Sequence, residues 1–275
     1  MISRNKLEVL DVCSFLSLKQ LNADSNFLES IDGVEKLSQL TSISARGQIC
    51  STKHDSTALI NTNADLHNLY LSSNSIPSLA FHTEFLNLQS LELSATGLQR
   101  LPETFGQQAP NVRVLNLNFN RLDDLRPLLN IKRLTTLLVA GNRLSRLRKS
   151  LAVLSKLSSL TKLDLRDNPL TVGFYAPVVE TRLVRRAVDD PPSDLDPHTL
   201  PYADKETDQQ YASRLDEDTM LKRKVYEMML ANACVHLQSL DGLPFCGDEV
   251  LTKDGTWDRL IDLGVVRKSK HGSAQ

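Results

Sequence analysis

The chain has four cysteines, Cys13, Cys50, Cys234 and Cys246, and they are scattered. That excludes a disulfide-capped framework and a C-x-x-C zinc site, and leaves Cys50 and Cys13 to be read as small apolar core residues of a protein kept in a reducing compartment. No run of 18 apolar residues occurs, and Arg4, Lys6, Glu8, Asp11 and Lys19 interrupt the first twenty positions. Neither a membrane span nor a secretory signal is therefore expected, and the reading is a soluble intracellular protein. Aromatic residues make up only 5% and the net charge is −1, so composition favours no partner class. A Gly-rich phosphate loop, H-E-x-x-H and G-x-S-x-G are all missing, and the six histidines, His54, His67, His82, His198, His236 and His271, are dispersed. The pairs Asp123-Asp124 and Asp189-Asp190 have no basic or metal-binding partner nearby in sequence. No catalysis, metal, cofactor or small-molecule substrate is expected.

What the chain does have is a pattern, leucine-x-x-leucine-x-leucine-x-x-asparagine-x-leucine. It returns as LHNLYLSSNSI from Leu66, LQSLELSATGL from Leu88, VRVLNLNFNRL from Val112, LTTLLVAGNRL from Leu134 and LTKLDLRDNPL from Leu160, with starts 22, 24, 22 and 26 residues apart. This is the period of a leucine-rich repeat. Leucines at the fourth and sixth positions alternate along a short strand and point into one core. The asparagine at the ninth position (Asn26, Asn74, Asn120, Asn142, Asn168) both donates to and accepts from the turn backbone, so it is read as structural. Thr96 replaces it once and can complete only part of that ladder.

Two weaker copies come first. LKQLNADSNFL starts at Leu18, and Leu40, Ile43, Ala45, Gln48 and Cys50 form a degenerate one, followed by a polar excursion from Ser51 to Asp55. The chain thus divides into an N-terminal cap (1–17, with Leu7, Leu10, Val12, Phe15 and Leu16), seven repeats (18–170), a C-terminal cap (171–249) and an amphipathic tail (250–275). The cap carries an acidic, Pro-rich loop at 189–208 and a helix over about 204–234, in which Met228 and Met229 are read as core contacts. It closes where Leu237 and Leu240 repeat the leucine spacing before Asp241-Gly242. The fold class is an α/β leucine-rich repeat solenoid, with a parallel sheet on its concave face and a long interrupted C-terminal cap.

Binding is the alternative to catalysis. Positions three, five, seven and eight of each copy are expected to face the concave side, and Tyr70, Glu92, Val114, Asn116, Asn118, Phe119, Leu138, Asp164 and Arg166 are the candidate contacts there. Among them Tyr70, Val114, Asn116, Asn118, Phe119 and Leu138 make a mixed apolar and amide patch of the kind that anchors interfaces. Phe119 has a second reading, as a residue packed inside its own repeat. A second candidate surface is basic. Residues 121–186 carry 14 Lys/Arg against 5 Asp/Glu, with Arg143, Arg146, Arg148 and Lys149 as its centre, whereas 189–219 carry 10 acidic against 2 basic residues. The basic turns suit an acidic or phosphorylated partner segment, or are solvated, or are covered by the chain's own acidic segment. Nucleic acid is not expected, since no aromatics interleave with the charges.

The repeats, the exit NPLTVGFYAPV (168–178), the cap closing on Leu237 to Gly242 and the tail DGTWDRLIDLGVVRK (254–268) together resemble the C-terminal leucine-rich repeat domain of the fungal septation-initiation and mitotic-exit scaffolds, which are related to centriolin. The resemblance implies a spindle pole body location. It implies protein partners, namely an anchor, a small GTPase with its two-component GTPase-activating complex, and kinases. It also implies a long N-terminal region that recruits the kinases after phosphorylation. None of the eleven prolines follows Ser or Thr, so proline-directed phosphorylation would lie outside this chain. Rival classes are a regulatory subunit of a Ser/Thr phosphatase, a spliceosomal or tubulin-folding repeat protein, and an enzyme built on the cap insertion. The first would show a strongly acidic concave stripe, yet Glu92 and Asp164 are the only acids at position five.

Overall fold

A computed structural model describes residues 1–48, 65–81, 83–176, 200–252 and 255–263. Cys50, the excursion after Ser51, His54, His82, Asp189-Asp190, Arg182, Arg185, Arg186, His198 and the tail beyond 263 lie outside them.

Each repeat contributes one three-residue strand from its third to fifth positions: β1 Gln20–Asn22, β2 Ser42–Ser44, β3 Asn68–Tyr70, β4 Ser90–Glu92, β5 Val114–Asn116, β6 Thr136–Leu138 and β7 Lys162–Asp164. They pair in chain order, all parallel and without a register slip, so Leu69 lies beside Leu91, Leu91 beside Leu115 and Leu115 beside Leu137. An eighth parallel strand, β8 Ser239–Leu240, joins β7, and β9 Leu243–Pro244 then turns back antiparallel to close the sheet. The strands are short because the leucines demand it. The side chains at positions one, four, six and eleven point inward, as Leu66, Leu69, Leu71 and Ile76 do, all four fully buried, and the chain must bend off the strand to bring the last of them inward. Burial of that size contributes about 1.5–3 kcal/mol per side chain.

The bend has a fixed conformation. Position eight is left-handed in all seven repeats, at Ser25, Gly47, Ser73, Ala95, Phe119, Gly141 and Asp167. It is a turn residue and lies beyond the flat of the sheet, which removes it from the concave positions expected of it. Beneath the turn runs the amide ladder. Asn120 donates to the carbonyls of Leu117 in its own repeat and Leu93 in the one before, and accepts from the amides of Thr96 and Leu98. Asn142, Asn168 and Asn74 repeat the arrangement. Gln48 does the same work in the degenerate copy, accepting from Leu28 and donating to Ala23. Thr96 manages part of it, donating only to the Leu93 carbonyl and to Asn120.

The convex side holds a 3-10 turn at Val34–Lys36, helix α1 Phe105–Gln108, a second 3-10 turn at Arg126–Leu128 and helix α2 Leu147–Leu154. The C-terminal insertion supplies α3 Lys205–Ala212, α4 Glu217–Ala233, α5 Gly247–Val250 and α6 Gly255–Asp262. The single helix expected over 204–234 is therefore two. Asp204 and Asp216 each cap a helix through the amide of the threonine three residues on, and the second cap forces a break after Ala212. Helix α6 lies back on α4, with Leu260 buried against Leu221 and Met228. Among the described residues no helix is long and apolar enough to cross a membrane.

At the N-terminus the cap is made differently from the sequence expectation. Val12 is buried and Leu10 packs against the core, but Phe15 and Leu16 are exposed. Cys13 is half-exposed and outside the core, and it sits against Gly33, where a Cβ would come within 2.6 Å of it.

Candidate partner-binding face

The fifth and seventh positions of successive repeats stand side by side across the concave sheet, less than 5 Å apart, so their side chains reach one another before they reach solvent. Most of the candidates are consequently covered. Glu92 is 5% exposed, Asn116 3%, Asn118 0%, Leu138 6%, Asp164 4% and Arg166 6%. Tyr70 and Phe119 are half-buried, and only Val114, at 38%, is open.

Polar groups in so tight a row must pair, and most of them do. Asp24 accepts from the Ser44 hydroxyl and the Arg46 amide. The Arg46 guanidinium lies 4.7 Å over the Tyr70 ring and grips Glu92 through Nε at 2.8 Å and an Nη at 2.6 Å, while the Ser72 hydroxyl donates to the same carboxylate. Asn116 accepts from the amide of Asn118, and Asn118 in turn accepts from the amide of Ala140. Asp164 and Arg166 form a closed ion pair at 2.6 Å. Burial lowers the Arg166 guanidinium, but the hydrogen bond to Asp164 and the charges of Asp164 and Asp241 together outweigh it and hold the group above its ordinary value. Glu92, Asn116, Leu138, Asp164 and Arg166 thus build the floor of the face and leave its binding surface to others.

The rear end of the face is roofed. Pro201 accepts from the Arg166 guanidinium, Tyr202 sits 4.4 Å from Lys162, and the Ala203 amide donates to Gly242. What stays open runs over β2 to β6, with Tyr70 and Val114 as its apolar members. Of the buried side-chain atoms without a hydrogen-bond partner among the described residues, two lie at position seven of that face, the Ser94 hydroxyl and the Asn118 side-chain nitrogen. Phe119 follows neither sequence reading. Held at φ 57, its ring lies along the next repeat's Gly141, where a Cβ would stand 2.6 Å from the ring, so it is neither a core residue nor a free anchor.

Arg143, Arg146, Arg148 and Lys149 are exposed on the turn and first residues of α2, on the convex side. The expectation that the chain's acidic segment covers them does not hold for its described part. Asp208 binds Arg223, Asp216 caps α4, Glu217 binds Arg259 and Asp218 binds Lys222, all within the cap. Asp124 does have a basic partner, Arg126 two residues on.

The residue that sequence reasoning undervalued is Asp241, fully buried at the end of the sheet. Elsewhere the amide at position six donates to the backbone carbonyl at position five of the next repeat, as Leu117 does to Leu138 and Val139 to Asp164. At the last repeat the Leu165 amide donates instead to the Asp241 carboxylate at 2.6 Å, and the Tyr226 hydroxyl of α4 donates to its other oxygen at 2.7 Å. Burial, with the charge of Asp164 added, pushes the Asp241 carboxyl up to about 7.

A sheet of stacked parallel strands with a buried amide ladder defines a leucine-rich repeat protein, and the family model of that name matches residues 86–144. Over 240 residues, 85% of its length, the chain is 30% identical to the septation initiation network scaffold protein cdc11 of Schizosaccharomyces pombe, of which it spans 23%. The likeness expected from the repeats, exit, cap and tail is therefore found. Solved structures similar to the chain include the TLR13–ssRNA13 complex (24% identity, 60% of this chain and 24% of that one, TM-score 0.47) and internalin C2 of Listeria monocytogenes (22%, 60% and 70%, 0.45).

Proposed function

We propose that this chain is a protein-binding domain of a septation initiation scaffold and that partners occupy the concave face over β2 to β6. The likeness to cdc11 along 85% of the chain carries the reading. The face itself supports it, since a largely paired floor with a few open apolar side chains is a surface organised for contact. Location at the spindle pole body, and tethering there of a small GTPase, its activating complex and kinases, belong to the same proposal.

The test uses Tyr70→Ala combined with Val114→Ala, which alters accessible side chains and leaves the buried floor intact. Proximity labelling and pull-down with the wild-type and variant chains, in cells arrested late in mitosis, should recover spindle-pole and GTPase-pathway proteins that the variant loses at least several-fold. Equal recovery by both would remove the concave face, and recovery of a phosphatase catalytic subunit or of splicing factors would replace the scaffold reading.

A further inference from the structure

A second surface lies on the other side of the solenoid. Helices α2 and α4 enclose a groove of about 730 Å3. One wall is basic, made by Arg146, Arg148 and Lys149, all exposed. The other is apolar, made by Val225, Met228 and Met229, with Val225 and Met229 only half-buried. Among the described residues no acidic one lines it. None of the three cations makes an ion pair among the described residues, and the Asp124 carboxylate, which feels the charge of Lys149, is already held by Arg126. Helix α2 begins here with Arg146 at its N-cap, whose side chain makes no capping bond, whereas α3 and α4 are both capped by aspartate. The positive end of α2 therefore adds to the field of the three side chains.

We infer that this groove receives an amphipathic helix of a protein partner, its apolar stripe on Val225 and Met229 and a row of Asp or Glu along Arg146, Arg148 and Lys149. Charge complementarity selects the acid, since among the described residues three cations without an ion pair face a groove without a carboxylate. The walls select the helix. Both are helical and offer no strand edge, so an extended segment would leave its backbone unpaired, while a helix satisfies its own. Methionine lets the apolar wall adapt to the entering side chains. Arginine pairs with carboxylates in a bidentate fork, which makes Arg146 and Arg148 the residues that fix orientation.

The experiment pans a phage library of 16-residue helical peptides on the 275-residue chain, with counter-selection on the Arg146→Glu/Arg148→Glu variant. Enriched peptides are synthesised and titrated by fluorescence anisotropy. They should carry large apolar residues at i, i+3 or i+4 and i+7 beside Asp or Glu, bind the double variant at least tenfold more weakly, lose affinity as salt rises, and be indifferent to Tyr70→Ala with Val114→Ala. Circular dichroism establishes that the variant is folded. Met229→Glu, on the opposite wall, should weaken the same peptides independently of the arginines. No enrichment, enrichment of neutral or basic peptides, or affinity unchanged by both variants would overturn the inference. So would binding of a fifteen-nucleotide thymidine oligomer with the same arginine dependence and none by the peptides. Loss of the concave partners alone would leave it standing.

Discussion

The two ends of the solenoid face the same problem and solve it with opposite chemistry. A stack of repeats leaves an open turn at its start and an open strand at its end, each with backbone groups that would cost about 1–3 kcal/mol apiece if buried unpaired. At the start, Asn26 is treated as though an earlier repeat existed. It accepts from the amides of Asn5 and Leu7 and donates to the Ile2 carbonyl, so a few residues of neutral backbone imitate a missing turn. At the finish, β8 pairs for two residues and the chain reverses. The carboxylate of Asp241 then stands where the next repeat's carbonyl belongs. One end is closed by neutral groups and the other by a buried ionisable one, anchored to α4 through Tyr226.

The comparison breaks most visibly at the C-terminal end. Asp241→Ala, measured at pH 5 by chemical denaturation, should cost roughly 2–5 kcal/mol, because it strands the Leu165 amide and the Tyr226 hydroxyl together. Hydrogen exchange should place the damage, with the Leu165 amide losing protection while those of Asn5 and Leu7 keep theirs. Exchange that rises uniformly along the chain would mean that the ends are not independent.

Asn26→Ala is the matching change at the other end, with an expected cost of about 1–3 kcal/mol. It removes a fully buried amide, but the cap it holds is short and its neighbours Phe15 and Leu16 are already exposed, so the loss stays local. Asn5 and Leu7 should exchange faster and Leu165 should not change. A stability loss equal to that of Asp241→Ala, with protection lost at both ends, would contradict the asymmetry.

How much of this was legible differs between backbone and side-chain logic. Repeat register, strand positions and the asparagine ladder follow from spacing, because leucine burial and the paired amide are each decided by a local period. Gln48 was readable in the same way, as an amide at the ninth position. The state of the concave face was not. Position alone places Glu92 and Arg166 on the surface, whereas their burial depends on partners in other repeats or next to them in space, Arg46 and Ser72 for the first, Asp164 and Pro201 for the second. The break before α4 was present in the sequence as two Asp-x-x-Thr caps twelve residues apart, but helical periodicity across both segments masked it. The groove joins Arg148 to Met229, 81 positions away, and only the packing of α2 on α4 brings them together.

The smallest effect is also the one that separates the two caps by their chemistry. Asp241 keeps its proton up to about pH 7 in the folded chain, against an ordinary carboxylate value near 3.8 when unfolded. Between those values the folded state holds a proton that the unfolded state has released, so stability contributed by this site is complete below about pH 4 and is lost as pH rises toward 7. The unfolding constant should rise by at most tenfold per pH unit across that window. Asp241→Asn keeps an oxygen for the Leu165 amide and cannot ionise, so it should flatten the slope while leaving the fold intact. Tyr226→Phe, which removes the donor to the other oxygen, should carry the slope on to higher pH by raising the carboxyl further. Asn26→Ala should leave the slope as it is, since the bonds it removes join a neutral amide to neutral backbone. Denaturation midpoints at pH 4.5, 5.5, 6.5 and 7.5 for the three variants check this. An unchanged slope in Asp241→Asn would assign the dependence to another buried acid, of which Glu227, raised by burial beside Arg223, is the alternative within the cap.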